Sequence, residues 1–275
     1  LVAEISIQRA VKLLDAHNHL HDGRLAPHRE AIIAELERIG LSKAVVNGTR
    51  EEDWEAVVVL AATHNFVIPS FGLHPWHVAS RSRDWLERLR ELLVAHPHAG
   101  VGEIGLDRWI EGYDLAQQTE VCVGQLALAA ELNRPATLHC IRAWGPLWDL
   151  VRSQPLPACG LLLHAYGGSQ EMVAGFVELG AYFSFSPSFL QERKAPQREV
   201  FRHLPADRIL LETDAPDLRP PDECNPRPLR GEGGEPINHP ANIDLTYTTL
   251  AELRGVESEA LAAQVAENFA RLFGE

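Results

Sequence analysis

Two histidines one residue apart close an apolar run near the start of the chain: Val11-Lys12-Leu13-Leu14 leads into Asp15-Ala16-His17-Asn18-His19. On an extended backbone residues i and i+2 point to the same face, so His17 and His19 converge on one point. Imidazole is the commonest metal-ligating side chain, and a pincer of two at a strand end needs further ligands from elsewhere. Taken alone, the pair fits a surface loop as well as a metal site. The rest of the chain supplies candidates: His74, Glu103, His139, His164 and Asp214 each sit at or just beyond the end of a short apolar segment.

Those segments are the elements that must position the ligands. After the first strand, β-rich stretches at 43–49, 66–72, 100–105, 135–139, 160–164, 181–185 and 207–212 predict seven more. Between them, helical spacing covers 31–40, 51–64, 84–95, 116–132, 145–151, 170–179 and 196–204, and two further helices, 242–253 and 258–273, close the chain. Gly40 stands where a left-handed cap ends the first helix. Continuously apolar strands alternating with helices imply a parallel sheet covered on both faces, and the strand count and length of 275 residues fit one (β/α)8 TIM barrel spanning 1–275. An open doubly wound sheet is the alternative. No G-x-G-x-x-G or P-loop sequence follows any strand.

In a barrel the C-terminal strand ends form the catalytic face. His17 and His19 fall there on strand one, His74 on strand three, Glu103 on strand four, His139 on strand five, His164 on strand six and Asp214 after strand eight. Any one of these could satisfy a core hydrogen bond or cap a helix. Their convergence on one face is what points to a site, because charged groups are rarely buried unpaired. Four histidines (His17, His19, His139, His164) with Glu103 and Asp214 are too many ligands for one tetrahedral ion but suit two cations sharing a carboxylate. Glu103, between Gly102 and Gly105, is the expected bridge, since the glycines permit close backbone approach. A carboxylated lysine as bridge has no support in the lysine positions: Lys12, Lys43 and Lys194 are the only lysines and none ends strand four or five. Mixed nitrogen and oxygen ligation fits Zn²⁺, Mn²⁺ or another borderline divalent ion, and closed structural zinc sites favour cysteine instead.

Composition narrows the function further. The 25 basic against 38 acidic residues give a net charge of −13, which argues against broad affinity for nucleic acid, so any phosphate recognition is local. A purely nucleic-acid-binding role lacks a basic stripe or aromatic platform. Cys122, Cys140, Cys159 and Cys224 are far apart, with no C-x-x-C pair, and read as free thiols. The first ten residues, with Glu4 and Arg9, lack a signal-peptide layout, and no apolar stretch approaches the ~18 residues of a membrane span. A cytoplasmic protein without an obligate partner is expected.

Several motifs together resemble the TatD-related family: Asp15-Ala-His-Asn-His-Leu20, Gly72-Leu-His-Pro75, Gly102-Glu-Ile-Gly-Leu-Asp107, 118–128 with its Gln-Leu-Ala-Leu-Ala stretch, 135–139, His164-Ala-Tyr-Gly-Gly168, Leu211-Glu-Thr-Asp-Ala-Pro216 and Asn268-Phe-Ala-Arg-Leu-Phe273. The resemblance covers nearly the whole chain and implies a metal-dependent hydrolase on a TIM barrel, with deoxyribonuclease activity described for many members. It implies two divalent ions (Zn, Mn or Mg) held by His17, His19, Glu103, His139, His164 and Asp214, with Glu103 and Asp214 catalytic. His74 and Arg142 become substrate contacts, the substrate being DNA or a small phosphodiester hydrolysed by a metal-activated water. Two departures fall where substrate would lie. The chain reads His139-Cys-Ile-Arg142 where many members read His-x-Arg, and Asn238-His-Pro240 where they often read Asn-Glu-Pro. The same barrel chemistry serves carboxylic esters, lactones or amides, which is the alternative substrate class.

Other residues carry lesser expectations. The Pro- and Gly-rich loop 217–240 carries Arg219, Arg227 and Arg230, which either reach an anionic substrate or lie on a solvated surface. Trp76 and Trp109 either stack a base or wall a pocket. Cys140, one past His139, should point toward the helices. His21, His28, His64, His77, His96, His98 and His203 read as loop or helix-surface residues. Asp15 either orients a histidine or ends its strand, and Glu212 is a further carboxylate near the site.

Overall fold

In the computed structural model, which describes residues 12–274, the eight apolar segments are strands at their predicted places, with differences confined to the ends. The reading of Glu4 and Arg9 lies outside the described residues. β1 (Leu13–Asn18), β2 (Leu41–Asn47), β3 (Val67–Phe71), β4 (Gly100–Asp107), β5 (Ala136–Ile141), β6 (Leu161–Leu163), β7 (Ala181–Phe185) and β8 (Ile209–Leu211) pair in parallel in sequence order. A doubly wound sheet would reverse its strand order part-way across. Here the order never reverses and β8 returns to β1. Just beyond the strands, the Asp214 amide donates to the His17 carbonyl at 2.9 Å and the His19 amide to the Ala215 carbonyl at 2.8 Å.

α1 (Arg29–Arg38), α2 (Trp54–Thr63), α3 (Trp85–Ala95), α4 (Leu115–Leu132), α5 (Trp144–Ser153), α6 (Gln170–Glu178), α7 (Ala195–His203), α8 (Ile243–Arg254) and α9 (Ser258–Phe273) accompany the barrel. Leu13, Val45, Phe71, Val101, Leu138, Leu162, Phe183 and Leu210 are among its buried apolar residues. Gly40 takes φ of 79° two residues past the end of α1, the left-handed turn its type predicts. No helix among the described residues is long and apolar enough to cross a membrane.

β4 is buried at every position, and its glycines are a packing requirement. A Cβ on Gly102 would stand 2.8 Å from both Asn47 Oδ1 and Thr137 Cβ, and one on Gly105, at φ 139°, 2.1 Å from the His139 carbonyl oxygen. The neighbouring strands therefore close tightly around Glu103. The 217–240 loop has structure of its own: Leu229–Arg230 and Pro236–Ile237 pair antiparallel, and Asp222–Cys224 forms a 3-10 turn.

Candidate active site

The strand ends deliver the ligand candidates as expected. Glu103, on β4, stands at the centre. Its Oε2 faces His17 Nε2 at 3.4 Å and His19 Nε2 at 3.3 Å. Its Oε1 faces His139 Nδ1 at 2.8 Å, His164 Nε2 at 2.9 Å and His74 Nε2 at 3.4 Å. Asp214 Oδ1 lies 3.2 Å from His17 Nε2 and 3.3 Å from His19 Nε2. All these side chains are buried. His17, His19 and Asp214 can place ligand atoms within 4.8 Å of one another, and so can His17, Glu103 and His164, and His74, Glu103 and His139. His74, read from sequence as a substrate contact, therefore also stands within ligating reach.

The electrostatics call for positive charge between the carboxylates. Burial disfavours ionised Glu103, yet His164, His74 and His17 around it hold its pKa well below the ordinary value. Asp214 is likewise held low against burial by His17 and His19. Burial opposes charge on the imidazoles too, but Asp214 and Glu103 raise His19, and Glu103 with Glu212 raises His164. His74 goes the other way, down to about 4, because burial dominates. A divalent cation satisfies the same demand, and the donors fit one: His17 is fully buried with no hydrogen bond on either ring nitrogen.

The site floors a cavity of about 830 Å³ walled by the loops after β1, β2, β3 and β8, together with Trp109 and Ile141. This is the catalytic face of a barrel, and the volume suits a ligand of nucleotide size.

A model of the family described as TatD related DNase matches residues 14–274. The chain belongs to that family. It is 30% identical over 264 residues to the uncharacterized metal-dependent hydrolase YjjV of Escherichia coli, covering 95% of this chain and 98% of that protein. It is 32% identical to the 3'-5' ssDNA/RNA exonuclease TatD of Pantoea ananatis, covering 95% and 99%. The crystal structure of E. coli YjjV superposes with a TM-score of 0.87 at 28% identity, covering 97% of this chain and 99% of that one. A TatD family hydrolase from Entamoeba histolytica shares the fold at a TM-score of 0.85 and 18% identity. This TatD-family chain is a metal-dependent hydrolase.

The groups that hold the ligands were the harder part to read. Asp107 Oδ2 lies 2.8 Å from His139 Nε2 and accepts the Trp76 indole N–H at 2.8 Å, while its Oδ1 accepts the Trp109 amide at 2.6 Å. Two glutamines two helical turns apart on α4 clasp the backbone beside these residues. Gln118 exchanges hydrogen bonds with the amide and carbonyl of Asp107 (2.9 and 3.0 Å), and Gln125 with those of Leu73, next to His74 (2.7 and 3.2 Å). Both glutamines lie in the resembling 118–128 stretch. Only the i, i+7 spacing of two polar residues on an apolar helix marked their shared face.

Glu212 is not at the cavity. It is fully buried, accepts from the Ser184 hydroxyl and stands 3.5 Å from His164 Nδ1. Asp15 touches no imidazole. It accepts from the His17 amide at 3.1 Å and from the Thr213 amide and hydroxyl at 3.1 and 2.6 Å, tying β1 to the segment after β8. Burial pushes its carboxyl up to about 7. Asp214 at φ 54°, Ala165 at φ 41° and Arg142 at φ 56° hold left-handed backbone beside the site, strain that clusters where geometry serves function.

Several expectations change. His21 and His77, read as loop or helix-surface residues, are loop residues that line the cavity, and the His21 side chain is nearly inaccessible, 3.4 Å from Asp53. None of the late-loop arginines lines it. Arg227 is tied to Asp244 (2.8 and 2.6 Å) and Glu35 (3.0 Å), Arg219 to Asp222, and Arg230 to the Gly234 carbonyl at 2.6 Å. Arg142 is exposed, its guanidinium carbon 4.9 Å from the centre of the Trp109 ring. Arg24 and Arg50, which the sequence reading passed over, do line the cavity. Trp76 and Trp109 are 50% and 59% exposed on its wall. Cys140 is buried, away from the cavity lining, and burial raises its thiol.

Proposed function

We propose that the chain hydrolyses the terminal phosphodiester of a single-stranded nucleic acid, using two divalent cations on either side of Glu103. One observation carries this: each oxygen of Glu103 faces its own histidines, His17 and His19 on one side and His74, His139 and His164 on the other. A carboxylate so placed would be shared by two ions. Relatives of similar length carry the name 3'-5' ssDNA/RNA exonuclease, which supports the substrate class.

His17, His19 and Asp214 would hold one ion and His139 and His164 the other, with Glu103 common to both and Zn²⁺, Mn²⁺ or Mg²⁺ as the occupants. When bound, such ions lower the pKa of water near neutrality and offset negative charge on phosphoryl oxygens. Asp214 Oδ1, between the rings of His17 and His19, is placed to accept the proton of the attacking water. The water oxygen forms the new bond to phosphorus, the ester P–O bond breaks, and the departing sugar oxygen takes up a proton. His74 at the cavity floor contacts the substrate, with the further option of ligation, and Arg142, exposed beside Trp109 and outside the cavity lining, would meet the substrate only at that rim. Arg50, which pairs with no carboxylate among the described residues, lines the same cavity and is a further cation for the scissile phosphate.

The test is a turnover panel with Mg²⁺, Mn²⁺ or Zn²⁺ in which single-stranded DNA, a simple phosphodiester and carboxylic esters compete. Hydrolysis of the first two supports the assignment. Esters turned over with phosphodiesters untouched would move the chain to the carbonyl-hydrolase alternative.

A further inference from the structure

Resting on the phosphodiesterase reading, we propose that the site takes two nucleotides of a single strand and that chain length beyond them adds no catalytic efficiency. Observations of shape and of charge carry it. The cavity wall offers two exposed indoles: Trp76, whose ring N–H donates to Asp107 at 2.8 Å, and Trp109, whose backbone amide donates to the same carboxylate at 2.6 Å and whose ring lies 4.9 Å from the Arg142 guanidinium carbon. Base–indole stacking is tolerant of sequence, and two indole platforms suit two bases. The cavity of about 830 Å³ is of the size that encloses a small ligand, not a groove that tracks a polymer.

The second observation is charge. Among the charged side chains lining the mouth, Asp22, Glu52, Asp53 and Asp217 stand against Arg24 and Arg50. Arg24 is already neutralised, its guanidinium held by Asp217 at 2.9 and 2.7 Å and by Asp22 at 3.1 and 2.9 Å. Glu52 is exposed and pairs with no cation among the described residues. Of the late-loop arginines that might have extended a phosphate track, Arg219 and Arg227 are turned into ion pairs and Arg230 onto the Gly234 carbonyl, all off the cavity. The whole chain carries −13. One phosphate is therefore welcomed at the floor, and phosphates further along the strand leave through an acidic mouth. Sites built for long single strands show the reverse, a basic groove along the backbone.

The experiment measures kcat/KM for oligodeoxynucleotides of two, four, eight and twenty residues with the metal-loaded enzyme, at 50 and 200 mM salt. The expected result is a value constant within about threefold across lengths. For the 20-mer, a single phosphate contact predicts a loss under about threefold over that salt range, because the single-strand slope is about −0.7 per contact. Five contacts would cost about a hundredfold over the same range. Efficiency climbing tenfold or more with length, or the steep salt loss, overturns the proposal while leaving the phosphodiesterase reading intact. No hydrolysis at any length overturns that reading and this inference with it. Glu52→Lys, away from the ligands, should raise the 20-mer relative to the dinucleotide by about threefold through faster association. An unchanged ratio removes the acidic mouth as the cause.

Discussion

The two oxygens of Glu103 look onto unequal surroundings. Around Oε1, His139 is held by Asp107 at 2.8 Å and His164 is backed by Glu212 at 3.5 Å, while Gln118 fixes the Asp107 backbone. Around Oε2, His17 has no hydrogen bond on either ring nitrogen, and His19 leans on a single backbone carbonyl, that of Asn47, at 2.7 Å. The carboxylate on that side, Asp214, stands inside the site itself. On the first side Asp107 hydrogen-bonds His139 from outside, which raises ligand basicity and sets the ring tautomer, while Glu212 faces His164 Nδ1 as a charge without a hydrogen bond. The other side leaves a buried imidazole unsatisfied until a cation arrives. Orientation by the protein and orientation by the ion are thus divided between two halves of one site.

The largest effect that probes this division comes from its shared member. Glu103→Gln should lower kcat/KM by at least about a thousandfold, since a change there disturbs charge stabilisation by both ions. Next come the outer carboxylates. Asp107→Asn and Glu212→Gln should each weaken binding of one ion by about 10- to 100-fold and leave the other unchanged, as read by calorimetric titration with Mn²⁺. Equal weakening of both ions would erase the distinction between the two sides. Smaller still, Trp76→Ala should raise KM for single-stranded DNA by about tenfold, with kcat held within about threefold, and leave a small synthetic phosphodiester unaffected. Asp107 must stay in place for that test to be clean, so the Mn²⁺ titration of the variant should match the wild type. Smallest, Arg227→Ala should lower Tm by about 2 °C without changing kcat/KM, because its partners Glu35 and Asp244 brace the late loop and not the substrate.

What could be read from the sequence divides along similar lines. The barrel was legible because parallel strands buried on both faces are continuously apolar, so their ends, and the His, Glu and Asp residues at those ends, stand out against the background. The clustering of the ligand candidates followed, since barrel topology brings strand ends together whatever their separation in sequence. Asp107 and Gln118 were harder to see: each makes its contact through tertiary packing, and an Asp two residues past Gly105 has no periodic signature. The late-loop arginines show the opposite error. A long connection on the catalytic face suggested reach, but Glu35 on α1 and Asp244 on α8 offered nearer carboxylates, and side-chain direction is set by such partners, not by the loop's position. The place of His21 and His77 on the cavity wall went unread because single histidines in loops carry no pattern of their own.

The central claim is that Glu103 bridges two cations. Its most direct test is the metal content of the chain after equilibrium dialysis against Mn²⁺ or Zn²⁺, for the wild type and Glu103→Gln side by side. The account predicts two ions per chain for the wild type and one or none for the variant. Two ions retained by Glu103→Gln together with normal turnover would contradict it.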